Sequence, residues 1–527
     1  MRKALQAWRK NRTLYITLLV MLLFFLAAVR GMETKDWVIT LLRGLSVGAI
    51  TFLVASGFSL IFGLMDVLNM AHGTFFMIGA YVGWTVVVRP DTFVDLLPPV
   101  LLVAVGIVLI QVWRSLLQRI KLPVSAARIW PWFGLVLSGV LIAMSFSRYP
   151  ITKSDPEDYA NSPVQNAYEA GQGIFDLPEP LGFEEGISPI LVVAGILLGG
   201  LFLGISIAGF MGRGSPTATA DTKNGTKLPL KTILLGVCLL ALGLLVFTFN
   251  DPITEFVFHL DRTFLFILAA VVAMLTGVVL GTMMEISMIR PLYERTIYQI
   301  MLTLGLSAIG VEVVRAIWGL QEFTMPRPSI FDGTGEGCPA ESLADLFAYQ
   351  CSTIRVYGGR VRTYNEVFIP ILGLVVLIVV WLLLQRTKIG MIIRAGVQDS
   401  EMVEALGINV RQVFTLVFAL GVGLASLGGL IGAPSTGLTT KLGLSLLLNV
   451  LIALAIGGLT SYPGAALGSL IVGLLQQFII KYGALGINIP FLAEPFKPTP
   501  PLVPATTVLL MVVILLIMPQ GLLGRKE

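Results

Sequence analysis

Long apolar runs recur along this chain of 527 residues, and they fix its solvent before any other property is considered. A bilayer core about 30 Å thick is crossed by a helix of about 20 apolar residues, which satisfies its own backbone without water. About fourteen stretches fit that description, from Leu14–Val29 and Val38–Phe62 at the front to Gly464–Ile480 and Val503–Met518 at the end. Several are shorter than a full crossing, which suits tilted or broken helices. The runs lack the alternation of barrel strands, so helices are expected. Charged residues make up only 13% of the chain, where a soluble domain carries about 25%. The expected fold class is all-α, a polytopic integral membrane protein.

Threading the spans alternately divides the loops into two sets. The set that includes both termini carries 21 Lys and Arg against six acids, and the other carries 13 against 22. Basic residues accumulate on the cytoplasmic side, so both termini are expected there. The basic start and Ala27-Ala28 also fit a signal peptide, although its removal would leave an odd number of spans. On the opposite side, Ser147–Ser188 reads as a solvated acidic cap, because the spacing of a calcium loop is absent. The second large external loop, Gln321–Glu366, holds Cys338 and Cys351, a possible disulfide in an oxidising compartment. In the chain-entropy account such a bridge contributes about 3 kcal/mol.

Several chemistries are missing. No phosphate-binding G-x-x-x-x-G-K-[ST] loop is present, so the chain is not expected to hydrolyse ATP. No G-x-S-x-G, H-E-x-x-H or Cys-x-x-Cys appears, and the histidines are only His72 and His259. No enzymatic activity, cofactor, metal or nucleic-acid partner is expected.

Polar residues inside the spans are costly and therefore informative. Arg43 lies near an outer end and can snorkel, Glu312 and Arg315 are spaced to pair, and Glu285 lies about one turn before Arg290 near a wetted cytoplasmic end. In Gly63–Gly73 (GLMDVLNMAHG), Asp66, Asn69 and His72 recur every three residues in a glycine-flanked break. Gly457–Gly468 (GGLTSYPGAALG) is a second break. Two such breaks point to a translocation pathway, or equally to short turns between hairpin helices.

The segment Ile389–Arg411 is a polar, helix-patterned interruption between apolar spans. Met402, Ala405, Leu406 and Ile408 supply apolar positions, and Asp399, Glu401 and Glu404 an acidic side. On the cytoplasmic face, such a helix offers a place for a partner protein to push.

The sequence SLIFGLMDVLNMAHGTFFMIGAY within Gly44–Tyr81 resembles the opening hairpin of the LivH-type permease subunits of branched-chain amino-acid ABC importers. The resemblance continues through Leu302–Ser307, Gly407–Val410 with the following span, Gly457–Gly468 and Met518–Arg525, and with the stretches between these blocks it extends over about half of the chain. It implies residues 1–35 as an extra N-terminal span and 36–88 as the first shared hairpin. Residues 89–263 then form an insertion of about four spans, and 264–527 the permease core. It further implies ATP-driven import in a bacterial inner membrane, with two ABC ATPase subunits, a second homologous permease, a periplasmic solute-binding protein and surrounding lipid as partners. The ATPase-coupling helix would include Asp399, Glu401, Glu404, Ala405 and Gly407. Glu401 and Gly407 keep the family spacing, while Met402 and Val403 replace its small residues. The pathway would include Asn69, His72, Gly73, Thr303, Gly305, Gly457 and Gly458. Branched-chain amino acids are the family's default solutes, and urea or short amides the nearest alternative. A secondary transporter working without ATP is the reading from another class.

Overall fold

The structure, a computed structural model, describes residues 12–117, 124–151, 183, 186–212, 230–293, 295–398, 400–487 and 494–524. The apolar runs form helices α1 (Arg12–Arg30), α2 (Thr34–Met65), α3 (His72–Val88), α4 (Pro90–Val108), α5 (Ile110–Leu117) and α6 (Val124–Phe146). There follow α7 (Pro189–Gly212), α8 (Leu230–Thr248), α9 (Asn250–Phe258), α10 (Arg262–Met284) and α11 (Thr296–Trp318). The remainder are α12 (Leu343–Ala348), α13 (Ile369–Arg386), α14 (Lys388–Gln398), α15 (Ser400–Ala405), α16 (Val410–Thr436), α17 (Leu442–Gly457), α18 (Tyr462–Leu485) and α19 (Leu502–Ile517). Among the described residues, ten helical segments are long and apolar enough to cross a membrane, and four further apolar helices are shorter.

Among the described residues, sheet is confined to one hairpin in the loop after α11, where β1 (Thr353–Val356) pairs antiparallel with β2 (Gly359–Arg362). Tyr357 (φ 49°) and Gly358 (φ 80°) make its two-residue turn, the left-handed pair that matches strand twist. Each strand has four residues, too short for its alternation to stand out in the sequence. In the same loop Cys338 and Cys351 are joined in a disulfide, with Cα atoms 5.5 Å apart.

The chain divides into two compact units, one of Met1–Val87 with Asp261–Glu527 and the other of Val88–Leu260. In the second, Leu102, Tyr149, Val192, Val193 and Ile196 form a core. Ser138 Oγ there donates to the Gly199 carbonyl at 2.7 Å, so a hydroxyl holds two small-residue helix faces together. Arg89 and Asp91 form a buried bidentate pair, Nε–Oδ1 3.1 Å and Nη2–Oδ2 2.8 Å. Most of Ser147–Ser188 lies outside the described residues.

Among the long membrane-crossing segments of the first unit, α2 and α16 are the most buried. They touch where a β-carbon on Gly57 would collide with the Gly421 carbonyl. Close backbone approach is what helices use in lipid, where apolar side chains gain little from leaving the solvent. α1 is held to α18 by the Phe25–Phe478 ring pair (5.4 Å) and by Tyr482 OH donating to Ala28 O (2.6 Å).

The two ends of this unit differ. One end gathers the contacts of the loop between α11 and α13. Arg43 Nε meets Glu366 Oε1 at 2.8 Å, Trp84 Nε1 donates to Thr324 O at 3.1 Å, and Phe323 and Leu438 exchange backbone hydrogen bonds. Arg43 is thus paired rather than snorkelling. Its partner carboxylate is only 3% exposed and also accepts from Arg362 N at 2.7 Å. The other end gathers both breaks, the C-terminal tail and the start of α16.

Candidate translocation and coupling site

The first break begins where Asp66 takes a left-handed conformation (φ 53°) and ends α2, its N–H bonding Phe62 O. Asp and Asn tolerate that region better than other side chains because they can bond locally. Asn69 Oδ1 then accepts from Ala71 N at 3.0 Å, a side-chain turn that redirects the chain into α3. α11 clamps the break. Thr303 Oγ1 accepts from Met70 N at 3.1 Å and donates to Ile300 O at 3.1 Å, and Ser307 Oγ meets Thr74 Oγ1 at 2.7 Å.

His72 is fully buried, its Nε2 3.1 Å from Val54 O and its ring edge-on to Phe58. His72 Nδ1 and Asn69 Nδ2 are buried and have no hydrogen-bond partner among the described residues. Such groups cost free energy and are kept sparingly. Gly73 sits against the Gly443 carbonyl, allowing α3 and α17 to touch.

The other pathway candidates lie elsewhere. Gly305 is on the exposed face of α11, with nothing near where a side chain would begin. Gly457 packs on Gly464, and Gly458 takes φ 110° beside Gly524 of the tail. That tail is bonded in place by Leu522 N to Ile456 O (2.8 Å) and Leu523 N to Gly457 O (2.9 Å). The structure therefore brings Asn69, His72, Gly73 and Thr303 together and leaves Gly305, Gly457 and Gly458 apart from them.

The polar interruption folds as α14 and α15, joined to α16 by a glycine elbow. Gly407 N donates to Glu404 O (2.9 Å) and Ile408 N to Val403 O (3.3 Å). This is the paired closure of a helix end that requires a left-handed residue after the cap, and Gly407 supplies it at φ 82°. Two residues on, Asn409 caps α16 by accepting from Gln412 N at 3.2 Å. Val403 and Val410 anchor the elbow by burial, while Met402, Glu404, Ala405 and Leu406 are exposed. An open concavity of about 380 Å³ is lined by Glu404, Gly407, Ile408, Asn409 and Arg411. Asp399 and the Glu401 side chain lie outside the described residues.

A polar cluster just beyond the elbow is absent from the expectations. Glu285 is completely buried, not wetted. It accepts from Arg290 Nη2 (3.0 Å) and Nε (3.2 Å), from Thr415 Oγ1 (2.7 Å) and from Tyr293 OH. Arg290 Nη2 also donates to Thr415 Oγ1 at 2.7 Å. Burial, and then the bond to this carboxylate, push the Tyr293 phenol well up. A five-residue spacing between Glu285 and Arg290 does not suit an α-helix. It suits the π turn over Glu285–Ile289 that ends α10, and that spacing is the signal sequence reasoning could have used.

The sequence model of the family described as "Branched-chain amino acid transport system / permease component" matches residues 40–203 and 202–519. The chain belongs to this permease family. The branched-chain amino acid permease protein BraD of Pseudomonas aeruginosa is 28% identical over 170 residues, 32% of this chain and 50% of that protein. The permease protein LivH of Escherichia coli K12 is 26% identical over 166 residues, 31% of this chain and 49% of that protein. The fructose import permease protein FruF of Bifidobacterium longum is 29% identical over 126 residues, 22% of this chain and 35% of that protein. The chain thus spans about half the length of BraD and LivH. No solved structure matches it.

Proposed function

We propose that this chain is the membrane-spanning subunit of an ATP-driven, binding-protein-dependent importer of branched-chain amino acids, resident in a bacterial inner membrane. Two separate ATPase subunits dock on the Ser400–Gly407 elbow, a second homologous permease completes the channel, and an external solute-binding protein delivers the solute. The single observation that carries this reading is the elbow. It exposes Met402, Glu404 and Leu406, yet is rooted through the buried Val403 and Val410 at the start of α16. A push on the elbow enters α16 directly.

From α16 the displacement has a route. Thr415 passes it to Glu285 and so to the end of α10. Phe418 and Val422 share a core cluster with Val67, Ala71 and Phe75, which flank the first break. The break lacks the regular backbone bonds of the helices on either side, so rearrangement costs less there than within them. Thr303, Asn69 and His72 there would shift with the break and so open or close the route.

Family membership supports the permease role, and the names of BraD and LivH favour branched-chain amino acids over urea and amides. A secondary transporter is less well supported, since the family to which the chain belongs is the permease component of a transport system.

The test is cross-linking in the assembled complex. Cysteine placed by Met402→Cys or Leu406→Cys is expected to cross-link to an ATPase subunit in membranes, and Leu516→Cys on α19 is not. Equal cross-linking at all three positions, or none, contradicts the docking assignment.

A further inference from the structure

Among the acids within the apolar helices of the permease unit, Glu312 stands apart. Glu285 and Glu366 are buried in hydrogen bonds, whereas the Glu312 side chain is 69% exposed. It sits on α11 between Ile309 and Val313, both exposed. With a rise of about 1.5 Å per residue, it lies about 9 Å in from the helix end at Trp318. Its one partner, Arg315 Nη1 at 2.7 Å, is 36% exposed, and Arg315 Nε is buried with no acceptor.

Charges at membrane depth face a wetted or protein-lined space, because bare hydrocarbon penalises them. The same face of α11 carries Gly305 and Ala308, seven and four residues before Glu312, so Gly305, Ala308, Glu312 and Arg315 form one stripe. The two small residues leave room, and among the described residues no neighbouring element comes within 4 Å of where a Gly305 side chain would begin. The pair itself is unsaturated, with one hydrogen bond between a carboxylate and a five-donor guanidinium.

We propose that Glu312 and Arg315 bind the head group of a zwitterionic α-amino acid as it passes, an inference that rests on the importer reading above. The Glu312 carboxylate takes the solute's ammonium group, and the Arg315 guanidinium takes its carboxylate in a forked, charge-assisted contact. The solute's side chain lies along the Gly305–Ala308 part of the stripe. An acid and a base one helical turn apart match the two opposite charges of the head group and leave side-chain discrimination elsewhere.

The assembled transporter in proteoliposomes, with its ATPases and binding protein, supplies the test. Labelled leucine is the probe, and uptake, ATP hydrolysis and thermal stability are read together. Glu312→Gln and Arg315→Gln are each expected to lower leucine moved per ATP at least tenfold, while ATP hydrolysis stimulated by the binding protein stays within twofold. The double exchange Glu312→Arg with Arg315→Glu keeps an ion pair but reverses its order, and the same loss is expected. Normal uptake by the double exchange overturns the proposal, since a merely structural pair would be restored. Parallel loss of stability and ATP hydrolysis in the single variants also overturns it, marking a contact with a neighbouring subunit. Absence of leucine uptake by the unaltered assembly overturns the proposed function and this inference with it, whereas wild-type uptake with unaffected variants removes the inference alone.

Discussion

Thr415 Oγ1 lies 2.7 Å from Glu285 Oε2, joining two helices at residues 130 positions apart. The bond falls six residues after the Asn409 cap of α16, so the elbow and the end of α10 are connected through one buried carboxylate.

Removing each partner has a different cost. Glu285→Ala leaves Arg290 without its counter-ion, and breaking a buried pair this way costs about 3 kcal/mol or more. Thr415→Val removes one hydroxyl from the cluster and costs about 1 kcal/mol. Thermal unfolding of the purified complex is expected to show a much larger drop for Glu285→Ala. Equal drops contradict the description of Glu285 as the hub.

At Gly407 the backbone angle decides the outcome. An alanine in the left-handed region costs about 1–2 kcal/mol, so Gly407→Ala is expected to insert normally and transport more slowly. Gly407→Pro fixes φ near −65° and removes the N–H that bonds Glu404 O. It is expected to abolish solute uptake while leaving the amount of protein in the membrane within twofold, by immunoblot. Asparagine, which tolerates the left-handed region, is expected to retain most activity.

Thr303 is expected to matter through its hydroxyl. Thr303→Val keeps the shape but leaves Met70 N without its acceptor, a loss of about 1 kcal/mol at a part-buried donor. Uptake is expected to fall in the valine variant and to persist in Thr303→Ser. Indistinguishable rates in the two variants contradict the assignment of α11 as the clamp on the break.

Acid sensitivity is expected at the N-cap of α10. Burial disfavours the Asp261 carboxylate, but hydrogen bonds from Ser329 and from the Thr263 backbone and hydroxyl, together with Arg262, hold it below its usual range. A depressed carboxyl stabilises the fold above its unfolded value of about 3.9. That stabilisation is lost as pH falls through the lower folded value. Melting temperatures between pH 7 and pH 3 are expected to decline less steeply for Asp261→Asn than for the wild type.

Helical spans were legible in the sequence because hydrocarbon imposes one rule on every crossing segment, and even the short stretches such as Leu444–Leu459 have a helical counterpart in α17. The break near Asn69 was legible because Gly, Asp and Asn are turn residues wherever they occur. The Glu285 cluster was not, since its partners come from a π turn and from a helix 130 residues away. Nor was the elbow's anchoring, where Val403 is buried while the equally apolar Met402 and Leu406 face outward. Periodicity marks a face as apolar without saying which side is covered. Gly457 and Gly458 read as pathway residues for a related reason: a glycine serving close backbone packing and one lining an open route look alike in sequence.

The most direct measurement of the central claim, that the engine is external and acts through the elbow, is leucine accumulation in proteoliposomes. The vesicles hold this chain either alone or with its ATPases, second permease and binding protein, with and without ATP. Accumulation only in the complete assembly, only with ATP, and lost in Gly407→Pro is the expected result. Accumulation by this chain alone in the absence of nucleotide would contradict it.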